Sequence, residues 1–164
     1  MILLVERRPV LRIALFSRFV TLGRPLMPPP PIWLDDGIIL YDGVCVLCSH
    51  WVRFVAARDH AQPFRFTPIS SPYGTRLAHA IGIDPQDPDT NAVILHGRAL
   101  FRSDAALAVI ATLPGWHWAR ALSIFPRPIR DAVYTLIARN RYRIFGQNPV
   151  CDLGTPAYAS RVIV

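Results

Sequence analysis

Two cysteines, Cys45 and Cys48, stand where an apolar run meets a helix-like stretch. The run is Gly37-Ile38-Ile39-Leu40-Tyr41, the connection is Asp42-Gly43-Val44, and the stretch continues as His50-Trp51-Val52-Arg53-Phe54-Val55. A Cys-x-x-Cys at a strand-to-helix junction constrains fold and chemistry together. The free N–H groups and the dipole at a helix N-terminus favour a thiolate there. The same two thiols can instead supply half of a zinc site. The rest of the chain has to decide between these.

The pattern after the pair is periodic. Leu47, Trp51, Val52 and Val55 recur at helical spacing and predict a first helix over roughly Cys45 to Arg58. Phe64 to Pro68 alternates as a strand. Ser71-Pro72 opens a helix with a hydroxyl cap and proline in its first turn, and Gly82 ends it. Ala92 to Leu95 and Ala99 to Phe101 read as two short strands joined by a turn at Gly97-Arg98. Ser103 reads as the cap of a helix from Asp104 to Leu113. The order β-α-β-α-β-β-α builds a mixed sheet, its first two strands parallel through a helical crossover and its last two an antiparallel hairpin. That is the order of a thioredoxin-like α/β fold, with the Cys-x-x-Cys after the first strand.

A helical C-terminal extension follows from about residue 114. Trp116 and Trp118 bracket a turn or short helix. Pro128 opens a longer helix through Arg139, with Ile129, Val133, Tyr134, Leu136 and Ile137 available for a buried face, and Gly146 closes the segment. Trp116, Trp118 and Phe125 are expected to pack this extension onto the sheet rather than form an exposed patch. Residues 35–164 thus read as one domain with its extension.

Residues 1–34 differ from that domain. They hold five of the 18 arginines and one Glu, for +4, whereas residues 35–164 hold thirteen Arg and ten Asp, for +3. Three readings compete for the first 26 residues: an amphipathic helix at a membrane surface over 1–22, a targeting segment, or an over-long gene call with the start at Met27. The last is favoured, and Pro28 to Pro31 form a stiff polyproline linker in any case. The longest uncharged run of the domain, Ala105 to Ala119, is broken by Pro114-Gly115 and too short to cross a bilayer. Arg139, Arg141 and Arg143 with Tyr142 are the one basic cluster that nucleic acid would want; a solvated helix end is the plainer reading, and no nucleic-acid partner is expected. The chain has no lysine, which removes lysine Schiff-base chemistry. Three cysteines, an odd count, argue against a disulfide-stapled secreted fold and for a reducing cytoplasm.

The segment Asp42-Gly43-Val44-Cys45-Val46-Leu47-Cys48 resembles the signature of the DCC-type thiol-disulfide oxidoreductases, named for Asp, Cys and Cys at this spacing. Ser103-Asp104-Ala105, then Ala138 through Gly146, then Cys151, resemble the family's later blocks in the right order. The resemblance implies a thioredoxin-like, redox-active protein and says little of its substrate.

The residues themselves assign roles within that chemistry. Cys45 at the helix N-terminus is the attacking sulfur, its pKa expected within ~3.5–7.5. Cys48, one turn on, resolves the mixed disulfide. Asp42 is expected to cap the helix, with a proton relay to Cys48 as its other candidate role. No metal and no organic cofactor is needed, and the partner is a disulfide-containing protein or a small-thiol substrate. Two features depart from thioredoxin. Val46-Leu47 stands between the cysteines instead of Gly-Pro, and Asp89-Thr90-Asn91 precedes the third strand where a cis-proline would be, so that either Thr90 or Asn91 takes over its backbone contact with substrate or the substrate groove differs. The zinc alternative would complete Cys45 and Cys48 with Cys151 and His50 or His60. It lacks a second ligand pair, so the redox reading is preferred. The reading of another class is a non-catalytic thioredoxin-like binding or scaffold module whose cysteines are structural or metal-binding.

Overall fold

The computed structural model describes residues 36–60, 64–148 and 158–164. The expectations for residues 1–34 and for Cys151 lie outside these. Four strands, β1 (Ile38–Tyr41), β2 (Arg65–Pro68), β3 (Ala92–Leu95) and β4 (Arg98–Phe101), form one mixed sheet in the order β2-β1-β3-β4. β1 runs parallel to β2 through the crossover helix α1 (Val46–Ala56) and antiparallel to β3, which pairs with β4 as a hairpin. Helices α2 (Pro72–Ile81) and α3 (Arg102–Ile110) complete the thioredoxin-like domain.

Strand alternation divides the core into two layers. Ile39 and Tyr41 of β1 join Val52, Val55, Phe66, Val93 and Val109 on the α1 and α3 face. Ile38 and Leu40 join Leu77, Ala78 and Ile94 on the α2 face. All four β1 side chains are buried, as expected of a central strand covered on both faces. α2 is seated closely on the end of β2. Ser71 Oγ accepts the Gly74 N–H at 2.9 Å, and a Cβ at Gly74 would lie 2.0 Å from the Pro68 carbonyl oxygen, so only glycine fits there. Gly82 closes α2 in the left-handed conformation, φ 76°.

Several boundaries differ from the sequence expectation. The hairpin turn is His96-Gly97, both at positive φ (51° and 67°), which lets Arg98 join β4. α3 starts one residue before Ser103; its N-cap is Phe101, without a side-chain cap, and Ser103 Oγ donates to Asp131 instead. The extension is a 3₁₀ segment (His117–Ile124) followed by α4 (Arg127–Phe145), which runs six residues past Arg139.

The expected packing of this extension is also corrected. Trp116 is half-buried edge-on against Phe54, with Trp118 at 5.6 Å, but Trp118 and Phe125 are 60% and 56% exposed. On α4, Ile129, Val133 and Leu136 face outward, Ile137 is only partly covered where it lines a cavity, and the helix is held mainly by polar residues. Arg130 and Arg127 pair with Asp104 at 2.9 and 3.0 Å, and Arg141 is buried. Hydrophobic spacing gave the helix correctly but not the face it buries. The C-terminal end returns to the sheet: Tyr158 packs edge-on against Phe66, the Ile163 N–H donates to the Phe66 carbonyl at 2.8 Å, and Arg161 pairs with buried Asp59 at 2.6 Å.

Candidate active site

The chain passes from β1 into α1 in four residues. The Asp42 carbonyl accepts the Cys45 N–H at 3.3 Å, and Asp42 Oδ1 accepts the Val44 N–H at 3.1 Å. Ser49 Oγ donates to the Gly43 carbonyl at 3.4 Å and ties the turn to the helix it opens. Cys45 is the N-cap of α1, with extended φ −79° and ψ 119°, and its Sγ accepts the Cys48 N–H at 3.3 Å. A sulfur thus sits where an oxygen caps most helices. Asp42 does not hold that position: it stands three residues ahead of the cap, and its oxygens serve Val44, Arg141 and Tyr142.

The two thiols are free and act on each other. The Cys48 thiol hydrogen-bonds the Cys45 sulfur and is the largest cause lowering Cys45 from 9.0 to about 7, against the opposing effect of burial. The same bond, with burial, pushes the Cys48 thiol up. The negative charge of Asp42 raises both thiols and the positive charge of Arg141 lowers both. The pair is therefore split into one sulfur that ionises near neutrality and one that stays protonated.

Asp42 and Arg141 form a buried ion pair at 3.3 Å, with side chains 6% and 9% exposed. Arg141 Nη2 also donates to the Pro88 carbonyl at 2.6 Å, Nη1 donates to the Ala138 carbonyl at 3.1 Å, and the guanidinium lies over the Tyr142 ring at 4.5 Å. The Tyr142 hydroxyl donates to Asp42 Oδ2. Burial and that bond push the Tyr142 hydroxyl up to about 12. The cluster joins α4 to the dithiol turn and to the loop before β3. Charged groups this deep are found paired and hydrogen-bonded, as here.

The loop before β3 supplies the third wall. The Asn91 N–H donates to the Tyr134 hydroxyl at 3.1 Å, Asn91 Nδ2 lies 3.9 Å from Cys48 Sγ, and Thr90 Oγ1 accepts the Arg102 N–H at 3.0 Å. No peptide bond among the described residues is cis. Asn91, of the two residues the sequence offered, is the one facing the dithiol.

Access to the two sulfurs differs. Cys45 is fully buried because the chain after α4 lies across it. Gln147 pairs with Cys45 as an antiparallel bridge, the Asn148 N–H donates to the Val44 carbonyl at 2.7 Å and the Val46 N–H to the Gly146 carbonyl at 3.5 Å. Cys48, by contrast, lines a cavity of about 320 Å³ between α1, β3, α3 and α4.

The structure therefore brings together Asp42, Cys45 and Cys48, as the sequence predicted, and adds Arg141, Tyr142, Tyr134 and Gln147. The sequence reads Arg141 as part of a solvated helix end; a buried, ion-paired environment for one of three alternating arginines has no signature in spacing. Its one pointer was that Ala138 to Gly146 resembled a family block. Among the described residues no group of three or more His, Cys, Asp or Glu is placed to hold a metal ion, and His50 and His60 are exposed. No described helix is long and apolar enough to cross a membrane.

The family model described as DCC1-like thiol-disulfide oxidoreductase matches residues 39–147. The chain is 35% identical to the Uncharacterized protein YuxK of Bacillus subtilis (strain 168) over 131 residues, which is 79% of this chain and 96% of that protein. It is 34% identical to the DCC family protein At1g52590, chloroplastic, of Arabidopsis thaliana over 118 residues, 71% of this chain and 69% of that protein. No solved structure matches it significantly.

Proposed function

The chain belongs to the DCC1-like thiol-disulfide oxidoreductase family, and from that premise we propose that it catalyses thiol–disulfide exchange through Cys45 and Cys48. The observation that carries the reading is the split of the pair: a Cys45 sulfur lowered to about 7 by the neighbouring thiol, beside a Cys48 thiol pushed up. Only a thiolate attacks a disulfide, and a thiol whose pKa lies near the ambient pH is the best attacker.

The reaction runs in two exchanges. The Cys45 thiolate attacks one sulfur of the substrate disulfide, forming a Cys45 mixed disulfide and releasing the other sulfur as a thiolate. Cys48 then gives up its proton and attacks Cys45 Sγ, closing the Cys45–Cys48 disulfide and releasing the second substrate thiolate. The hydrogen bond to the Cys45 sulfur is the largest cause holding Cys48 protonated. That bond loses its anionic acceptor once Cys45 is in the mixed disulfide, so the first exchange itself prepares Cys48 to ionise. Asp42 serves as the proton relay toward Cys48, with Tyr142 and Arg141 orienting its carboxylate. The substrate is a disulfide-bearing protein or a small disulfide, and the odd cysteine count favours the reducing cytoplasm.

The test is dithiol-dependent reduction of a model disulfide by the wild type, Cys45→Ser and Cys48→Ser. Cys45→Ser should be inactive and Cys48→Ser should accumulate the mixed disulfide, visible by mass. A Cys45→Ser protein as active as the wild type ends the proposal.

A further inference from the structure

The cavity beside Cys48 has walls that the exchange reaction does not use. They are mainly apolar, from Leu47, Trp51, Val93, Ala105 and Ile137, and its volume of about 320 Å³ is at the small end of ligand pockets. Two residues with nitrogen donors line this apolar space. Among the described residues Asn91 Nδ2 reaches only the Cys48 sulfur, at 3.9 Å. Arg141, nine-tenths buried and also lining the cavity, satisfies Nη1 and Nη2, but its Nε–H has no acceptor among the described residues. A buried donor left unpaired is costly, and a bound acceptor atom would relieve it.

The charge balance says what kind of acceptor fits. Asp42 already pairs with Arg141. A second carboxylate brought into this apolar space would be a buried anion without a counter-ion of its own, which is strongly disfavoured. A neutral acceptor oxygen carries no such penalty. We propose that the cavity is a binding site for a small, neutral, largely apolar molecule bearing one carbonyl-type oxygen, which accepts from Arg141 Nε while the apolar part lies against Trp51 and Cys48. Because Cys45 is sealed under Gln147 and Cys48 is not, such a molecule would meet the dithiol on its Cys48 side. The site is thus one of binding, and it holds whether or not the exchange reaction does.

The test compares two ring compounds of similar shape, acetophenone and ethylbenzene, one with a carbonyl and one without. Each is titrated into the full-length Cys45→Ser protein, followed by NMR with the Arg141 Nε–H resonance as reporter. This variant cannot carry out exchange, so binding is read apart from activity. Acetophenone should bind saturably and shift the Nε–H resonance. It should bind at least about fivefold more tightly than ethylbenzene, the usual worth of one buried hydrogen bond. Ala106→Phe, which fills the cavity from α3, should abolish binding while the protein keeps its thermal transition; Ala138→Phe from α4 is the second variant should the first not fold. Saturable binding of neither compound, or equal affinities with an unmoved Nε–H resonance, overturns the proposal.

Discussion

Cys48→Ala tests what makes Cys45 acidic. A helix N-terminus alone would predict that the substitution leaves Cys45 unchanged, since the Cys48 N–H that reaches Cys45 Sγ is retained. In the structure the leading cause of the lowered value is the Cys48 thiol, and burial opposes it. Removing the thiol should return Cys45 from about 7 toward its ordinary 9.0. At neutral pH the thiolate fraction would then fall from about one half to roughly 1%, about a 50-fold loss. A more basic thiolate is intrinsically more nucleophilic, by a factor of about 8 over two pKa units at a Brønsted slope of about 0.45. The net expectation is a rate of alkylation about sixfold slower at pH 7, and faster than wild type well above pH 9. The assay is thiolate absorbance in the ultraviolet against pH, with iodoacetamide rates in parallel, in a Cys151→Ser background. Cys48→Ser, which keeps a hydroxyl donor, should fall between the two. A Cys45 midpoint that stays near 7 in Cys48→Ala refutes the assignment and returns the effect to the helix terminus.

The split pair also makes stability depend on pH. Cys45 is lowered on folding, so its contribution is present above the unfolded thiol value and lost as pH falls through about 7; Cys48 is raised, so its contribution is lost as pH climbs past the unfolded value near 9. Urea denaturation of the reduced protein should therefore show a maximum near pH 9, and a curve flat from pH 6 to 10 would contradict it. Asp42→Asn leaves Arg141 buried without its partner and should cost about 3–5 kcal/mol, much of it recovered by Asp42→Asn with Arg141→Met, as a denaturant double-mutant cycle would report. Asn148→Pro deletes the N–H that reaches the Val44 carbonyl and should raise the reaction rate of Cys45 with a bulky maleimide by about fivefold, from loss of roughly 1 kcal/mol of closure, while barely changing its pKa. An unchanged rate would mean that the Gly146–Asn148 segment does not control access.

What the sequence made legible followed local rules. The Ser71-Pro72 start, the Gly82 stop, the Cys-x-x-Cys junction and the β-α-β-α-β-β-α order each rest on backbone requirements of adjacent residues, and each stands in the structure. The losses were of another kind. Leu136 and Ile137 looked like a buried face because spacing reports one stripe of a helix without reporting what lies opposite it. Arg141 looked solvated because its partner, Asp42, is 99 residues away. Asp42 looked like a cap because Asp is a good capping residue, and Cys45 took the cap only because the turn is four residues long. Pairings across long separations are set by tertiary packing, and the different access to the two sulfurs is made of such pairings, whereas the split in their acidity is led by the local Cys45–Cys48 hydrogen bond.

The helical extension is consequently packed into the surroundings of the dithiol and is no separate addition. It brings Arg141 and Tyr142 to Asp42, Tyr134 to the loop facing Cys48, and Gln147 over Cys45. The two sulfurs thereby face different surroundings. Cys45 lies under a strand-like segment that pairs with the backbone on both sides of it, so a partner reaching Cys45 must displace that pairing and can replace its hydrogen bonds with its own extended chain. Cys48 opens instead onto a space that suits a small apolar molecule. Chain-like substrates at one sulfur and small molecules at the other would give a single dithiol two separate approaches, with α4 standing between them. Opening the segment with Asn148→Pro and filling the cavity with Ala106→Phe should accordingly have independent effects, the first on Cys45 access and the second on ligand binding, with additive behaviour in the double variant. Strong non-additivity would instead mean that α4 moves as a unit and that both sulfurs are exposed together.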